Sequence, residues 1–461
     1  MKFNSENMCK GPIFKNVVIY TVPIILTGLL QLLFNAADLI VVGWFSGSDS
    51  VAAVGATSSL TNLFVNLFIG LSLGAGVAVA QGIGAKSREN TEKAVHTAIP
   101  VALIGGILLT FTGILLSRPM LEAMGTPAGK ILSLSSVYMK IYFSGMTFLM
   151  LYNFGAAILR AAGDTKSPLI FLTVAGVLNV ILNIVFVAVF KMDVAGVALA
   201  TTISQALSSL LVIRELIKRK DLIKLEFKKI HINISALKKI LAIGVPAGLQ
   251  SSLFSISNVI IQSSVNSFGS AAMSGSAASS SIEGFCYVAM NSFQQTALNF
   301  CGQNYGAGNL KRVKKVTFVC LLTVAAVGLI IGTVSYAFGR PLLEIYIKDS
   351  KSAIDFGLER MKFILLPYFL CGIMDTVTGS MRGIGSSVVP MIITIIGVCV
   401  MRIVWIFTVF ANPEYHTFAW LFISYPISWS LTFSAVFISY LIAVKRKEKK
   451  FIKEKELLDS V

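Results

Sequence analysis

The sequence predicts an all-α integral membrane protein: twelve transmembrane helices in two six-helix lobes, related by a pseudo-two-fold axis along the membrane normal. Three observations predict it. Of 461 residues, 55% are hydrophobic and 13% charged, where a soluble domain carries about 25% charge. Apolar runs of roughly 20 residues or more recur along the chain, each long enough to cross about 30 Å of hydrocarbon as a helix. The second half also repeats the first at a constant offset. The mean hydropathy of +0.79 agrees.

Lipid offers no hydrogen-bond partners, so such runs must close their backbone bonds internally. The spans read roughly as 16–42, 52–80, 94–116, 131–157, 168–190, 194–213, 239–266, 274–300, 316–338, 353–379, 388–411 and 417–443. The first run, reaching Val42, exceeds the 7–15 residues of a signal-peptide core, so it reads as a retained helix.

Orientation follows from Lys and Arg. Of the 39, 29 fall in one alternating set: the N-terminus, 81–93, 158–167, 214–239, 302–315, 380–387 and the tail from Lys445. Six fall in the other set: Arg118, Lys130, Lys191, Arg340, Lys348 and Lys351. This bias places both termini in the cytoplasm of a multi-pass plasma (inner) membrane protein. The net charge of +17 therefore reads as membrane topology, not nucleic-acid binding.

The repeat is explicit. At an offset of 222, Gln81 matches Gln303, Gly84-Ala85 matches Gly306-Ala307, and Arg118-Pro119 matches Arg340-Pro341. Leu121-Glu122 matches Leu343-Glu344, Met139-Lys140 matches Met361-Lys362, and Arg160, Gly163 and Pro168 match Arg382, Gly385 and Pro390. Val22-Pro23 matches Val245-Pro246 at 223. Six spans per repeat make the halves parallel repeats. The expected domains are a lobe at 1–213, a basic connector at 214–238, a lobe at 239–444 and a basic tail at 445–461.

A carboxylate at membrane depth costs at least about 2.5 kcal/mol, so it needs a partner or a role. Three lie inside spans: Asp38, Glu283 and Asp375. Asp38 shares one helical face with Thr27, Gln31 and Asn35, a face expected to look into a lobe interior or a wet cavity. It reads as a cation or proton site, with a structural acid as the alternative. Asn179 and Asn183 project from one face of the fifth span, and Thr201, Thr202 and Gln205 follow in the sixth. Asparagine supplies a carbonyl oxygen without charge, suited to Na⁺ or to orienting a carboxyl; interhelical hydrogen bonding is the alternative.

Glu283 shares a face with Tyr287, Asn291 and Gln294, and Ser251, Ser255, Asn258 and Gln262 lie along the seventh span. Together these are candidates for a polar cavity in the second lobe. Asp375 aligns with Asn153 and Glu283 with Thr61, so the scaffold repeats while its charges do not. Different sites in the two lobes are the inference.

No Walker loop, H-E-x-x-H or nucleophile elbow occurs, so neither an ATP engine nor an enzyme is expected. Cys9, Cys286, Cys301, Cys320, Cys371 and Cys399 form no metal-ligand pattern. The glycines of Gly302–Gly308 read as a tight loop ending the eighth span, a weak phosphate signal.

The chain resembles the MATE (multidrug and toxic compound extrusion) family over nearly its whole length. The resemblance rests on Pro23, Asp38 followed by Val42-Gly43, the Gln81–Ala85 and Gln303–Ala307 turns, and Leu159-Arg-Ala-Ala-Gly-Asp-Thr-Lys-Ser-Pro168. It implies two lobes in a V that alternate between outward- and inward-facing states, with Na⁺ or H⁺ influx driving export of amphipathic, often cationic, compounds. It also implies an ion site at Asp38, Asn179, Asn183 and Thr201 with Asn153 nearby, Na⁺ being held at Asp38, Asn179 and Asn183. Asp375 corresponds to the second-lobe acid. This chain has Asn183 where archaeal members have an acid, and Glu283 on the eighth span where some members place an acid on the seventh. The expectation is therefore a monomeric secondary exporter with no cofactor besides its coupling ion. A flippase for a lipid-linked precursor is the alternative; it would favour basic residues such as Lys140, Arg360, Lys362 and Arg402 lining a central cavity.

Overall fold

The structure, a computed structural model, describes residues 8–348 and 350–459. Twelve long helical elements follow one another. They are α1 (Ile13–Phe45), α2 (Ser48–Gly84), α3 (Arg88–Ala123), α4 (Lys130–Ser144 with Met146–Ala161), α5 (Lys166–Asn183, then a π-helical turn Ile184–Val189) and α6 (Asp193–Lys218). The second series is α7 (Ile234–Asn266), α8 (Ser270–Gly306), α9 (Leu310–Ala337, then Gly339–Glu344), α10 (Lys351–Ile364 with Tyr368–Gly383), α11 (Val388–Thr394, a π-helical turn Ile395–Val400, then Met401–Phe407) and α12 (Phe418–Phe422 with Ser424–Asp459).

Nine of these are long and apolar enough to cross a membrane unaided, and α4 and α10 qualify as bent pairs. The twelfth, α8, is too polar to qualify by itself. Its interior carries Ser276, Ser279, Glu283, Asn291, Gln294 and Asn299.

The repeat shows in local geometry. Ser87 caps α3 by accepting from Asn90 N, and Asn309 caps α9 by accepting from Arg312 N. The bends of α4 and α10, 46° and 45°, fall at Gly145 and Pro367, which are 222 residues apart. After each bent pair the chain closes in the same turn. Gly163 N donates to Arg160 O and Asp164 N to Leu159 O, each at 2.9 Å; Gly385 N donates to Arg382 O and Ser386 N to Met381 O, also at 2.9 Å. Both glycines have positive φ, 91° and 84°, the left-handed cap that glycine adopts without strain.

The chain divides into two compact units at places other than the expected lobe ends. Val22–Gly248 forms the first, and Met8–Thr21 with Leu249 onward forms the second. The reason is helix packing. A Cβ on Gly70 would meet Gly248 N at 2.2 Å, and one on Gly74 would meet Ile240 O at 2.2 Å, so α7 begins with its backbone laid against α2. Such small-residue contacts let helices associate where lipid supplies no hydrophobic drive. In the second unit, Tyr20 meets Phe300 edge-on at 5.3 Å, Thr21 shares a 2.8 Å hydrogen bond with Thr296, and Asn304 donates to Met8 O. The first turns of α1 thus pack with α8.

Two further expectations change. The Gly302–Gly308 stretch is helical through Gly306, and Gly302 N would lie 2.9 Å from a Cβ on Gly383, so it is a helix contact and not a phosphate loop. Arg382, counted among loop cations, is 3% exposed inside α10.

Candidate ion and substrate site

The first unit gathers its polar side chains where α1, α5 and α6 meet. Gly176 on α5 makes the approach possible: a Cβ there would meet the Phe34 ring of α1 at 1.8 Å. One turn further, Asn179 and Asn183 point at the same helix. Asn183 Nδ2 donates to Asp38 Oδ1 at 2.5 Å and Thr201 Oγ1 to Asp38 Oδ2 at 3.4 Å. Asn179 Nδ2 donates to Thr201 Oγ1 at 3.3 Å, and Asn183 Nδ2 also reaches Asn179 Oδ1 at 3.2 Å.

Asn183 must turn its N–H toward the carboxylate, because oxygen facing oxygen would repel. Its Oδ1 is consequently buried with no hydrogen-bond partner. Asn179 and Asn183 are 5% and 0% exposed, so this oxygen is shut off from solvent. The stacked rings of Tyr138 and Tyr142 lie within Coulombic range of Asp38. Among the described residues no Lys or Arg pairs with Asp38, and no group of three or more His, Cys, Asp or Glu side chains is placed to hold a metal ion. The cluster thus offers one carboxylate and three neutral oxygen donors (two carboxamides and a hydroxyl). Hard oxygens with a single negative charge suit a proton or a monovalent alkali ion better than a divalent or transition metal.

The remaining members of the α1 stripe divide. Thr27 is buried and bonds Pro23 O, whereas Gln31 and Asn35 are exposed on the unit's surface. Asn153 is not drawn into the Asp38 network; its amide donates to Leu149 O one turn back on α4.

In the second unit no hydrogen bond among the described residues joins Glu283 to Asn258 or Gln262. Glu283 Oε2 accepts from Arg360 Nη2 at 2.9 Å, and Arg360 also donates to Ser276 Oγ. Asn258 and Gln262 are exposed, and Gln262 donates to Asn266 of its own helix. Asn291 donates to Gln294 along α8, and Tyr287 is exposed within Coulombic range of Asp375. Asp375 is 4% exposed; Arg382, two turns along the same helix, donates to Gln250 Oε1 at 2.8 Å.

The sequence reading missed that Arg360, Arg382 and Arg402 are all buried in this unit. Their placement within or beside apolar runs was the available signal, together with the need of Glu283 for a counter-charge.

The MatE family model matches twice, over residues 23–185 and 246–408. The chain belongs to the MatE family. Its two matched copies correspond to the α1–α5 and α7–α11 series. Relatives include the probable multidrug resistance protein YpnP of Bacillus subtilis, 30% identical over 396 residues, covering 85% of this chain and 87% of the relative. The probable multidrug resistance protein NorM of Thermotoga maritima is 26% identical, covering 84% of each chain. Among solved structures, a MATE in complex with MaL6 superposes with a TM-score of 0.90 at 21% identity, over 97% of this chain and 100% of that one. An outward-facing multidrug resistance MATE transporter of the MOP superfamily gives 0.89 at 21% identity, over 96% and 98%. At that identity the likeness establishes the fold: this MatE chain is a multi-pass, twelve-helix membrane protein.

Proposed function

We propose that this MatE-family chain is a secondary active multidrug exporter, an antiporter that couples Na⁺ or H⁺ influx to export of amphipathic, often cationic, organic compounds by alternating access. The Asp38 cluster carries the reading. A carboxylate in the lipid-embedded part of a helix, ringed by neutral oxygens and lacking a basic partner among the described residues, is neutralised by a proton or a small cation. Either is useful: one elementary charge moving down the membrane potential gains about 2.3 kcal/mol per 100 mV, and a tenfold substrate gradient costs about 1.4 kcal/mol.

In this reading Asp38 binds the coupling ion and Asn179, Asn183 and Thr201 orient it. Asn153 contributes from the neighbouring helix only if α4 moves. Asp375, Glu283, Tyr287, Asn291, Asn258 and Gln262 belong to a second polar region that contacts substrate. The protein acts as a monomer in the plasma membrane with both termini cytoplasmic, and performs no covalent chemistry. The relatives' names support export of drugs over flipping of a lipid-linked precursor. The test is drug uptake into inside-out vesicles under an imposed Na⁺ or pH gradient. Gradient-dependent uptake supports the proposal; uptake indifferent to both gradients would overturn it.

A further inference from the structure

The two units treat charge differently. Among the described residues, the first buries no Asp, Glu, Lys or Arg, whereas the second buries Arg360, Asp375, Arg382 and Arg402 at 8%, 4%, 3% and 4% exposure. Glu283, half-buried, adds one more carboxylate. Three guanidiniums therefore face two carboxylates. Arg360 is paired with Glu283, and Arg382 shares α10 with Asp375.

Arg382 has no ion pair either, but it has Asp375 within Coulombic range on its own helix and the Gln250 oxygen as acceptor, which leaves Arg402 as the remainder. No carboxylate among the described residues lies within ion-pair distance of it; Glu283 is only within Coulombic range and already engaged.

Its surroundings are built rather than incidental. Arg402 is the second residue after the π-helical turn of α11, an irregularity found often at functional sites. Gly397 in that turn lets α11 lie close against α12: a Cβ there would meet Thr432 Oγ1 at 2.1 Å. The guanidinium then lands on the aromatic face of α12. Its Cζ sits 3.7 Å from the Tyr425 ring centroid and 5.5 Å from that of Trp429, and Nε donates to Ser428 Oγ at 2.9 Å. Ring faces and one hydroxyl fix the plane of the group without neutralising it. Nη2 is buried with no hydrogen-bond partner.

We propose that Arg402, seated on Tyr425 and pinned by Ser428, is the receptor for a carboxylate-bearing ligand inside the second unit. A pinned, planar guanidinium with an unused N–H presents the fork that matches a carboxylate. One monoanion supplies the charge missing from the count. Resting on the exporter reading above, the site widens the substrate range beyond cations to compounds carrying an acid group.

The test uses full-length protein in detergent and reads thermal unfolding, so it does not depend on ion coupling. Sodium chloride is exchanged for sodium acetate or sodium benzoate at constant Na⁺ and ionic strength. The wild type should show a saturable rise in unfolding temperature with acetate and benzoate over chloride, as expected of a ligand that binds the folded state. Arg402→Gln should lose that rise. Ser428→Ala, a milder change that leaves the charge in place, should raise the half-saturating benzoate concentration at least about tenfold and covers the case in which Arg402→Gln does not fold. Two outcomes overturn the proposal. One is a wild type indifferent to both carboxylates; the other is variants that respond as the wild type does.

Discussion

Asn183 donates to Asp38 across 145 residues of sequence, and in doing so leaves its own carbonyl oxygen buried without a donor. Replacing Asp38 with Asn keeps the shape of the side chain but removes the charge that an ion must neutralise. Asp38→Asn should reach the membrane in normal amount and fold, yet lose at least about nine-tenths of gradient-driven drug uptake, a barrier change near 1.4 kcal/mol or more. Wild-type uptake in this variant would remove Asp38 from the coupling role.

Asn183→Ala tests the other half of the relationship. It deletes both the hydrogen bond to the carboxylate and the unpartnered oxygen, and a hydrogen bond to a charged group is worth about 1.5–3 kcal/mol. The half-saturating concentration of the coupling ion should shift roughly tenfold or more, downward for a proton, which no longer competes with the amide for the carboxylate, and upward for Na⁺, which loses an oxygen ligand, measured as uptake rate against pH or Na⁺ concentration. Asn153→Ala, outside the network, should leave that value within about twofold.

Gly74 and Gly55 lie on the same helix in opposite situations. A Cβ on Gly74 would meet the Ile240 carbonyl at 2.2 Å, whereas one on Gly55 meets nothing within 4 Å. Gly74→Ala should lower stability by about 1–3 kcal/mol, the usual cost of overpacking. Gly55→Ala should be neutral or stabilising by about 0.4–1 kcal/mol. Unfolding temperatures of the two purified variants in one detergent decide it.

The basic connector is ordered by specific contacts. Glu226 N donates to His96 Nε2 at 3.1 Å, and Lys229 Nζ lies 3.2 Å from Glu226 and 3.6 Å from Glu92. The Lys229 hydrogen bond, with the neighbouring lysine charges, holds the Glu226 carboxyl below its ordinary range. A lowered folded-state value stabilises above the unfolded value and loses that effect as pH falls through the folded one. Hydrogen exchange across residues 223–233 should be faster in Glu226→Gln than in the wild type at pH 7. The difference should close below about pH 4 and in about 1 M salt. Identical exchange at pH 7 would show the pair to be idle.

Topology gives the fifth expectation. Single cysteines at Lys228 or Lys447, in a background with the native cysteines replaced, should resist a membrane-impermeant maleimide added outside intact cells and react after permeabilisation. Labelling from outside would reverse the orientation drawn from the Lys and Arg bias.

The spans were legible because lipid demands apolarity over a fixed length, and that demand is written residue by residue. The Asp38 cluster was legible for a related reason. Spacings of four along a helix, as in Asn179 and Asn183, survive translation into three dimensions. What could not be read depends on which helix meets which. That the first turns of α7 pack on α2 follows from where Gly70 and Gly74 find a backbone, and nothing in the local sequence names that backbone. The bend at Pro367 has a visible cause, but its counterpart Gly145 is one glycine among 37. Arg402 was visible as a charge in an apolar run; its seat on Tyr425 and Trp429 exists only once α11 and α12 lie side by side.

The polarity of α8 bears on how the protein is made. A nascent segment is sorted into the bilayer largely on its own hydrophobicity, and a charge near its centre costs about 2.5–3.5 kcal/mol on the insertion scale. Glu283 sits in the middle of α8, and its counter-charge, Arg360, is synthesised 77 residues later. The Arg360–Glu283 bond can offset that cost only once α10 has been made, so the second half completes the setting of α8 after α8 itself has emerged.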